Sequence, residues 1–365
     1  MPPSSSSCSS VVVFLITGAS KGLGRAIATV ASKYYAQQQQ QQQYKLRSNN
    51  KDDSSSSALP SSTSLSQKSA RFLLVARSSD GLQETKKEII STTSTTTDED
   101  DEDDVIICRT MDLSDLDRLD DNIDVLLDDV DCLICCGGDD KDGDNQRYDN
   151  VDVVFVNNAG SLGHLGPTIT SPSLKDMRQT IDLNVTSSLW LTVRFSQYVK
   201  QLEERQCQRR QQQKTMSLAA TIVNISSLAA ISDDFLSMGI YSTGKAARER
   251  YHTMLAKEEM KSKTMKQEEE PTLTKNGCDD NNKSSNIAIK TLNYAPGPLE
   301  TEMTTAIRNA DQLDIDLKPH FQKELLDAND SALKLIKLVD ENTFDSGSHV
   351  DYYGSSLIIK RNNIE

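Results

Sequence analysis

Short apolar runs recur along this chain, each closed by small or polar residues and followed by a stretch of helical spacing. Val11–Ile16 leads into a glycine-rich turn and a helix predicted to end near Ala36, where a glutamine tract begins. Further runs lie at Arg71–Arg77, Val105–Cys108, Val151–Val156, Thr221–Ile225 and Asn286–Leu292. Short apolar runs bounded by turn signals read as strands buried on both faces, the mark of a parallel sheet. Between them, helical spacing covers Gly81–Ile90, Ser114–Leu133, a long helix from a Ser173 cap to about Gln201, and a helix through Tyr241 to about Lys257. The alternation predicts an α/β fold: a Rossmann-type, doubly wound parallel β-sheet of about seven strands with helices on both faces.

Five segments break the pattern. Residues 37–69, 91–104, 137–150, 203–217 and 258–285 are rich in Gln, Ser, Thr, Asp, Asn, Lys or Glu and poor in apolar residues. Burial there cannot offset the entropy of ordering, so they are expected to be disordered insertions between elements of a single domain spanning 11–360. Chain-closure cost grows slowly with length, which makes such insertions tolerable. What remains of the 365 residues is one α/β domain rather than two.

The formal net charge is −14, but residues 98–152 alone hold 22 Asp/Glu against four Lys/Arg. The acidity is therefore local; Asp98–Asp104 reads as a solvated acidic loop, and nucleic acid is not an expected partner. Seven cysteines, an odd number and scattered, fit a reducing compartment rather than a disulfide framework. Cys132, Cys135 and Cys136 contain a CxxC without a second pair or a nearby histidine, so no metal site is expected. Val11–Ile16 is too short for a signal peptide or membrane span and has no basic stretch before it, so a cytoplasmic protein without membrane contact is expected.

The turn after the first run is Thr17-Gly18-Ala19-Ser20-Lys21-Gly22-Leu23-Gly24. Strand, glycine-rich turn and helix start together suit a pyrophosphate: the glycines allow close backbone approach, and the helix N-terminus offers free N–H groups and a positive dipole end. The second run ends in Arg77, where an acid would accept ribose hydroxyls. Arg77, Ser78 and Lys21 therefore point to a 2′-phosphate and so to NADPH/NADP+. Asp112-Leu113 follows the third run, where the carboxylate either reaches the adenine or closes a turn. Asn157-Asn158-Ala159-Gly160 puts amides and small residues at the carboxyl end of a central strand, where a flat ring can lie. The Pro296-Gly297-Pro298 turn stops the last long strand and begins a loop able to close over a cofactor.

Chemistry concentrates between Thr221 and Arg250. Ser226 and Ser227 end a strand, and Tyr241 and Lys245 follow four apart, on one helix face. Such a set can deliver a proton to a carbonyl oxygen while a hydride reaches the carbon. A free tyrosine, with pKa near ~10, is a weak acid for this; an ammonium about 4 Å away supplies the roughly 4 kcal/mol that brings it toward ~7. Ser227 would hydrogen-bond the oxygen as charge builds on it. Asn184, a lone amide in an apolar helix, is either a satisfied core amide or the holder of a proton-relaying water.

TGxxxGxG, NNAG, an in-helix Asn, Ser, YxxxK and PG occur in this order, and in them the chain resembles the short-chain dehydrogenase/reductase family. The resemblance implies that Asn184, Ser227, Tyr241 and Lys245 are the catalytic set, with Lys245 also holding the nicotinamide ribose. It implies cofactor contacts from Gly18, Ser20, Lys21, Gly22, Leu23 and Gly24 in the first turn and from Arg77, Ser78, Asp112 and Leu113 after the next two strands. Asn158, Ala159 and Gly160, then Tyr241 and Lys245, then Pro296, Gly297, Leu299, Thr301 and Met303 would complete the cofactor site.

Asn157–Gly163, Asn293–Met303 and Phe344–Tyr353, with Gly244-Lys-Ala-Ala-Arg248, look like the branch of that family that reduces 6-acyl pterins. That branch implies NADPH-dependent reduction of a pterin side-chain carbonyl, the last step of tetrahydrobiopterin synthesis. Asp351 would pair with the amino-pyrimidinone edge through two hydrogen bonds, beside Ser226, Ser227, Tyr241 and Gly297. The helices carrying Asn184 and Tyr241 would form a homodimer face. The chain departs from the family in having thirteen residues, 228–240, between Ser227 and Tyr241, one more than usual. Either that loop bulges or Ser226 shares the role. Two other readings stand beside this one: a reductase of other ketones, diketones or quinones, and a non-catalytic cofactor-binding scaffold.

Overall fold

The first apolar run sorts its side chains by parity. Val12, Phe14 and Ile16 enter one apolar cluster and Val11, Val13 and Leu15 the other, none more than 1% exposed. A strand buried on both faces must lie inside a sheet covered by helices on each side. The computed structural model describes residues 9–49, 67–93, 105–135, 148, 150–170, 173–210, 217–268 and 289–354. Among them, seven parallel strands form one sheet: β1 (Ser9–Thr17), β2 (Gln67–Ala76), β3 (Ile106–Thr110), β4 (Asn150–Asn157), β5 (Ser217–Ile225), β6 (Ile289–Ala295) and β7 (His349–Asp351).

The spatial order is β3-β2-β1-β4-β5-β6-β7, the doubly wound arrangement expected. Helices α1 (Gly22–Asn49), α2 (Ser79–Thr93) and, late in the chain, Ala328–Asp340 pack on one face. Helix α3 (Leu119–Cys135) and two later helices, Ser188–Arg210 and Gly239–Glu268, pack on the other. Strand order reverses direction between β1 and β4, and the crevice at their carboxyl ends is where such sheets bind ligands.

A polar row crosses the sheet at that end. Asn157, Asn224, Asn293 and His349 are register partners on β4, β5, β6 and β7. Buried amides need partners, and they have them: Asn224 Nδ2 donates to Asn293 Oδ1 at 2.9 Å, and Asn157 Nδ2 donates to Ser188 O at 3.0 Å.

The helices run further than expected. α1 continues past Ala36 to Asn49, the helix through Ser188 reaches Arg210, and the helix through Tyr241 reaches Glu268. Gln, Glu, Lys and Arg are good helix formers, so a helix already nucleated by packing propagates through them at little cost. The start of the glutamine tract is also tied down, Gln39 Nε2 donating to Lys68 O at 2.8 Å. Of the five segments, 50–66, 94–104, 137–147, 149, 211–216 and 269–285 lie outside the described residues, Asp98–Asp104 with them, as does Cys136. The expected helix from Ser173 is three pieces: α4 (Leu174–Ile181), a π-helical turn over Asp182–Ser187, and α5 (Ser188–Arg210). Ser173 does cap it, its Oγ accepting from Asp176 N at 3.1 Å. α6 (Gly239–Glu268) follows β5. Beyond β6, the stretch read as a loop contains α7 (Glu302–Arg308), α8 (Lys318–Gln322) and α9 (Ala328–Asp340).

Part of the acidic run is paired: the exposed Asp120 and Asp124 on α3 meet Arg194, and Asp131 meets Arg205 at 2.9 Å. Among the described residues no helix is long and apolar enough to cross a membrane, and no cluster of three or more His, Cys, Asp or Glu could hold a metal ion.

Asp340 at the end of α9 joins three elements. It accepts from Tyr34 and Tyr35 hydroxyls at 3.0 and 3.2 Å, from Gln38 at 3.2 Å and from Lys68 at 3.0 Å. Burial raises its pKa, but the Lys68 charge and these hydrogen bonds outweigh burial and hold it below the ordinary value. A carboxyl depressed on folding stabilises the protein above its unfolded pKa near ~3.9, and that contribution is lost as pH falls through the folded value. Asp340→Asn is expected to lower stability at pH 7 by about 1–3 kcal/mol, and urea titrations should show the deficit shrinking below about pH 4.

Candidate active site

The crevice at the carboxyl ends of the strands opens into a cleft of about 1420 Å³. Pockets for one drug-sized ligand run to about 300–1,000 Å³, so the cleft has room for a dinucleotide and a second small molecule. At one end lies the glycine-rich turn. Gly18 and Gly22 border the cleft with φ of +69° and +55°, where a side chain would be strained. Ser20, Lys21 and Leu23 border it too. Gly24 does not: a Cβ there would meet Gly18 O at 2.2 Å, so its role is to let α1 start against the turn. Asn158 borders the cleft, yet its amide nitrogen donates to Thr17 O at 2.9 Å and Gly18 O at 3.3 Å, holding the turn in shape. Ala159 and Gly160 continue the wall. A close-approach backbone cradle at a helix N-terminus fits a pyrophosphate.

At the rim, Arg77 and Ser78 are exposed, and Ser78 Oγ accepts from Gly81 N at 3.1 Å in the first turn of α2. Asp112 Oδ1 accepts from Ser114 N at 2.9 Å and Ser114 Oγ at 2.7 Å, so of its two readings the turn is the one its carboxylate serves. Burial raises its pKa, but those bonds and the nearby Arg77 charge bring it below the ordinary value. Asp112 and Leu113 nonetheless border the cleft. Lys21 pairs with Glu302 of α7 across the rim. Pro296, Gly297, Leu299, Thr301 and Met303 form the wall opposite the turn.

The Ser–Tyr–Lys set sits on the cleft wall where β5 meets α6. Ser227 starts a 3-10 turn over Leu228–Ala230, accepting from Ala229 N at 3.2 Å. The loop that follows places Ser237 in the left-handed region at φ +65°. Ser226 borders the cleft, but its hydroxyl, 2% exposed, donates to Glu249. Of the two hydroxyls, that of Ser226 is thus taken up by Glu249, while Ser227 borders the cleft together with Tyr241.

Lys245 Nζ donates to Ile225 O at 2.6 Å and stands 5.6 Å from the Tyr241 ring centroid. The expected lysine-driven acidification of Tyr241 is not what this geometry gives. Burial raises the phenol's pKa, and the Ser227 hydrogen bond and Arg248 charge pull it back without reversing the shift. Burial, with Arg248 adding, likewise pushes the Lys245 ammonium well below its ordinary value. Desolvation is the largest cause of both shifts.

Asn184 lies in the π-helical turn, 2% exposed and off the cleft wall. Its Nδ2 donates to Ser161 O at 2.7 Å and its Oδ1 accepts from Ser161 N at 2.8 Å. That is the satisfied core amide, pinning the chain just after Gly160. Asp351, 3% exposed, does not border the cleft either. Its Oδ1 accepts from Tyr353 N at 2.8 Å, while Oδ2 is buried without a partner among the described residues. Tyr353 and Gly297, at φ +80°, stand on the wall nearby.

The sequence reading assigned no role to Arg248. Its fully buried guanidinium donates to Asn224 Oδ1 and Ala159 O, each at 2.9 Å, and to Asn157 O. Burial brings its pKa down to about 10. The signal available was an arginine seven residues beyond Tyr241, on the same helix face. Phe235, Leu236, Met238, Leu317 and Phe321, which wall the far end of the cleft, were also unassigned.

Sheet order and the glycine cradle together define a Rossmann-type, doubly wound parallel fold. Residues 142–312 match the short chain dehydrogenase family model. The chain is similar to sepiapterin reductase of Rattus norvegicus, 31% identical over 207 residues that cover 55% of this chain and 63% of that one. Sepiapterin reductase of Bos taurus is 31% identical over 209 residues, 55% of this chain and 62% of that one. The match thus spans less than two thirds of these relatives. Among solved structures, a short chain dehydrogenase from Shigella flexneri complexed with NADP aligns with a TM-score of 0.56 at 17% identity, covering 94% of this chain and 98% of that one. Levodione reductase aligns at 0.54 and 16%, covering 93% and 95%.

Arg248→Met is expected to leave three buried acceptors without their donor and to cost about 3–5 kcal/mol of stability in denaturant titrations.

Proposed function

We propose that this protein is an NADPH-dependent carbonyl reductase whose substrate is a 6-acyl pterin of the sepiapterin type. The observation that carries the reductase reading is one cleft holding a glycine cradle at one end and Ser227, Tyr241 and Lys245 on its wall. Gly18, Gly22 and the start of α1 would hold the pyrophosphate, and Arg77 with Lys21 the 2′-phosphate. When bound, the reduced nicotinamide supplies a hydride to the carbonyl carbon.

Tyr241, kept protonated by burial, holds the proton that the new alkoxide needs. Ser227 donates a hydrogen bond to the same oxygen as negative charge develops there. Lys245 is anchored on Ile225 O at 2.6 Å, where it can hold the nicotinamide ribose and face the phenolate left behind. Asn184 acts by fixing the backbone at Ser161 rather than by touching the reacting atoms.

The pterin reading draws support from the similarity to sepiapterin reductases and from Asp351, whose buried, unpartnered Oδ2 suits a donor-rich amino-pyrimidinone. It places the protein at the last step of tetrahydrobiopterin synthesis, in the cytoplasm and as a homodimer through α5 and α6, on which Trp190 and Met254 are each 39% exposed. A second reading, reduction of simpler diketones, is favoured by Asp351 lying off the cleft wall.

NADPH oxidation by the purified protein, with sepiapterin beside simple diketones and with NADH as control, separates them. Sepiapterin turnover well above the diketones, lost selectively in Asp351→Asn, is the expected result; diketone turnover alone would sink the pterin assignment. Tyr241→Phe is expected to lower kcat by about 10²–10⁴-fold, as for loss of a general acid, while NADPH binding followed by fluorescence stays within a few-fold.

A further inference from the structure

Glu249 lies four residues beyond Lys245 and eight beyond Tyr241, so the three share one stripe of α6. It is 8% exposed and belongs to none of the roles described so far. Its Oε2 accepts from Ser226 Oγ, and both its oxygens lie 3.0 Å from His349 Nδ1. His349 Nε2 is buried with no partner among the described residues, so the ring works through Nδ1. The carboxylate therefore bridges the end of β5 to the start of β7 across the intervening β6. Ser226 is fixed a second time by its own N–H, which donates to Tyr294 O at 2.8 Å. The next residue is Ser227, which borders the cleft together with Tyr241 and whose hydroxyl accepts from Ala229 N at 3.2 Å.

We propose that Glu249, braced by His349, is a positioning residue that locks the Ser226–Ser227 peptide so that Ser227 stays on the cleft wall with Tyr241. The same clamp ties that peptide to β7, which carries Asp351 two residues after His349 on the same strand face. A buried carboxylate with every oxygen bonded is rigid, and misplacing a reacting group by about 1 Å can cost about 100-fold in rate.

The kinetic arm of the test rests on the reductase reading; the structural arm does not. Glu249→Leu is expected to lower kcat about 10- to 100-fold on sepiapterin and diketone alike, with the Kd for NADPH unchanged, and its crystal structure should show the Ser226–Ser227 peptide displaced from its wild-type position. His349→Leu should do the same, and His349→Asn, whose amide can donate from the Nδ1 position, should recover most of the loss. A Ser226–Ser227 peptide unmoved in the Glu249→Leu structure would overturn the proposal. So would a kcat that falls only in step with weakened NADPH binding. Should Glu249→Leu not fold, His349→Leu takes its place in both arms. Wild-type turnover of diketones without sepiapterin would fail the pterin reading alone, leaving Glu249 to be judged on the diketone. Absence of any turnover would fail the reductase reading, and the crystal structure alone would then decide.

Discussion

A guanidinium with no exposed surface has to be surrounded by acceptors, and that requirement at Arg248 fixes the geometry of the cleft. Its donors reach Asn224 on β5, and the carbonyl oxygens of Asn157 and Ala159 at and just after the end of β4. An unpaired charge in this position would cost several kcal/mol, so α6 has one angle and one depth against the sheet. Tyr241 and Lys245, seven and three residues earlier on the helix, are set by the same contact. The polar row continues the constraint sideways, from Asn157 through Asn224 and Asn293 to His349.

The same burial governs the chemistry. A tyrosine and a lysine both removed from water resist ionising, and each shift seen here runs toward the neutral form. The phenol is therefore held in its protonated form, and in the proposed reaction a negative charge arriving on a substrate oxygen would find Ser227 and Tyr241 as donors in a low-dielectric wall. Lys245, bonded to Ile225 O, is held in place whatever its charge.

The strands were legible because a parallel sheet needs unbroken apolar runs, and Val11–Ile16, Arg71–Ala76 and Val151–Val156 have few other uses. The cradle was legible for a related reason: Gly18, Gly22 and the start of α1 are contiguous, so spacing alone carries the geometry. Helix ends were not, because Gln, Glu and Lys look solvated whether or not they extend a helix that packing has started. The roles of Ser226, Asn184 and Asp112 depended on which partner each side chain found. Glu249 for Ser226 and Ser161 for Asn184 lie 23 residues away, and no pattern in the sequence chooses them. The row of three asparagines was invisible for the same reason, since strand register decides whether they align.

The two ends of the cleft are built differently, and this bears on what each can determine. The cradle is one turn of chain, held by Asn158 and closed by Gly24 against Gly18. The far end is assembled from Leu162, Ala229, Met238, Tyr241, Ile307, Leu313, Leu317 and Phe321, drawn from four separate stretches into one apolar cluster. Such a wall has no local sequence code; its shape follows from how α7 and α8 return to the sheet after β6. Selection among carbonyl compounds would therefore reside in that returning segment and in β7. There Lys334 of α9 donates to the backbone oxygens of Asp351, at 3.0 Å, and Tyr352. With its main chain anchored from α9 and His349 clamped from α6, the segment bearing Asp351 is held at both ends. A carboxylate oxygen left unpartnered in a segment so constrained is a fixed acceptor, and a fixed acceptor discriminates among donors far better than a mobile one.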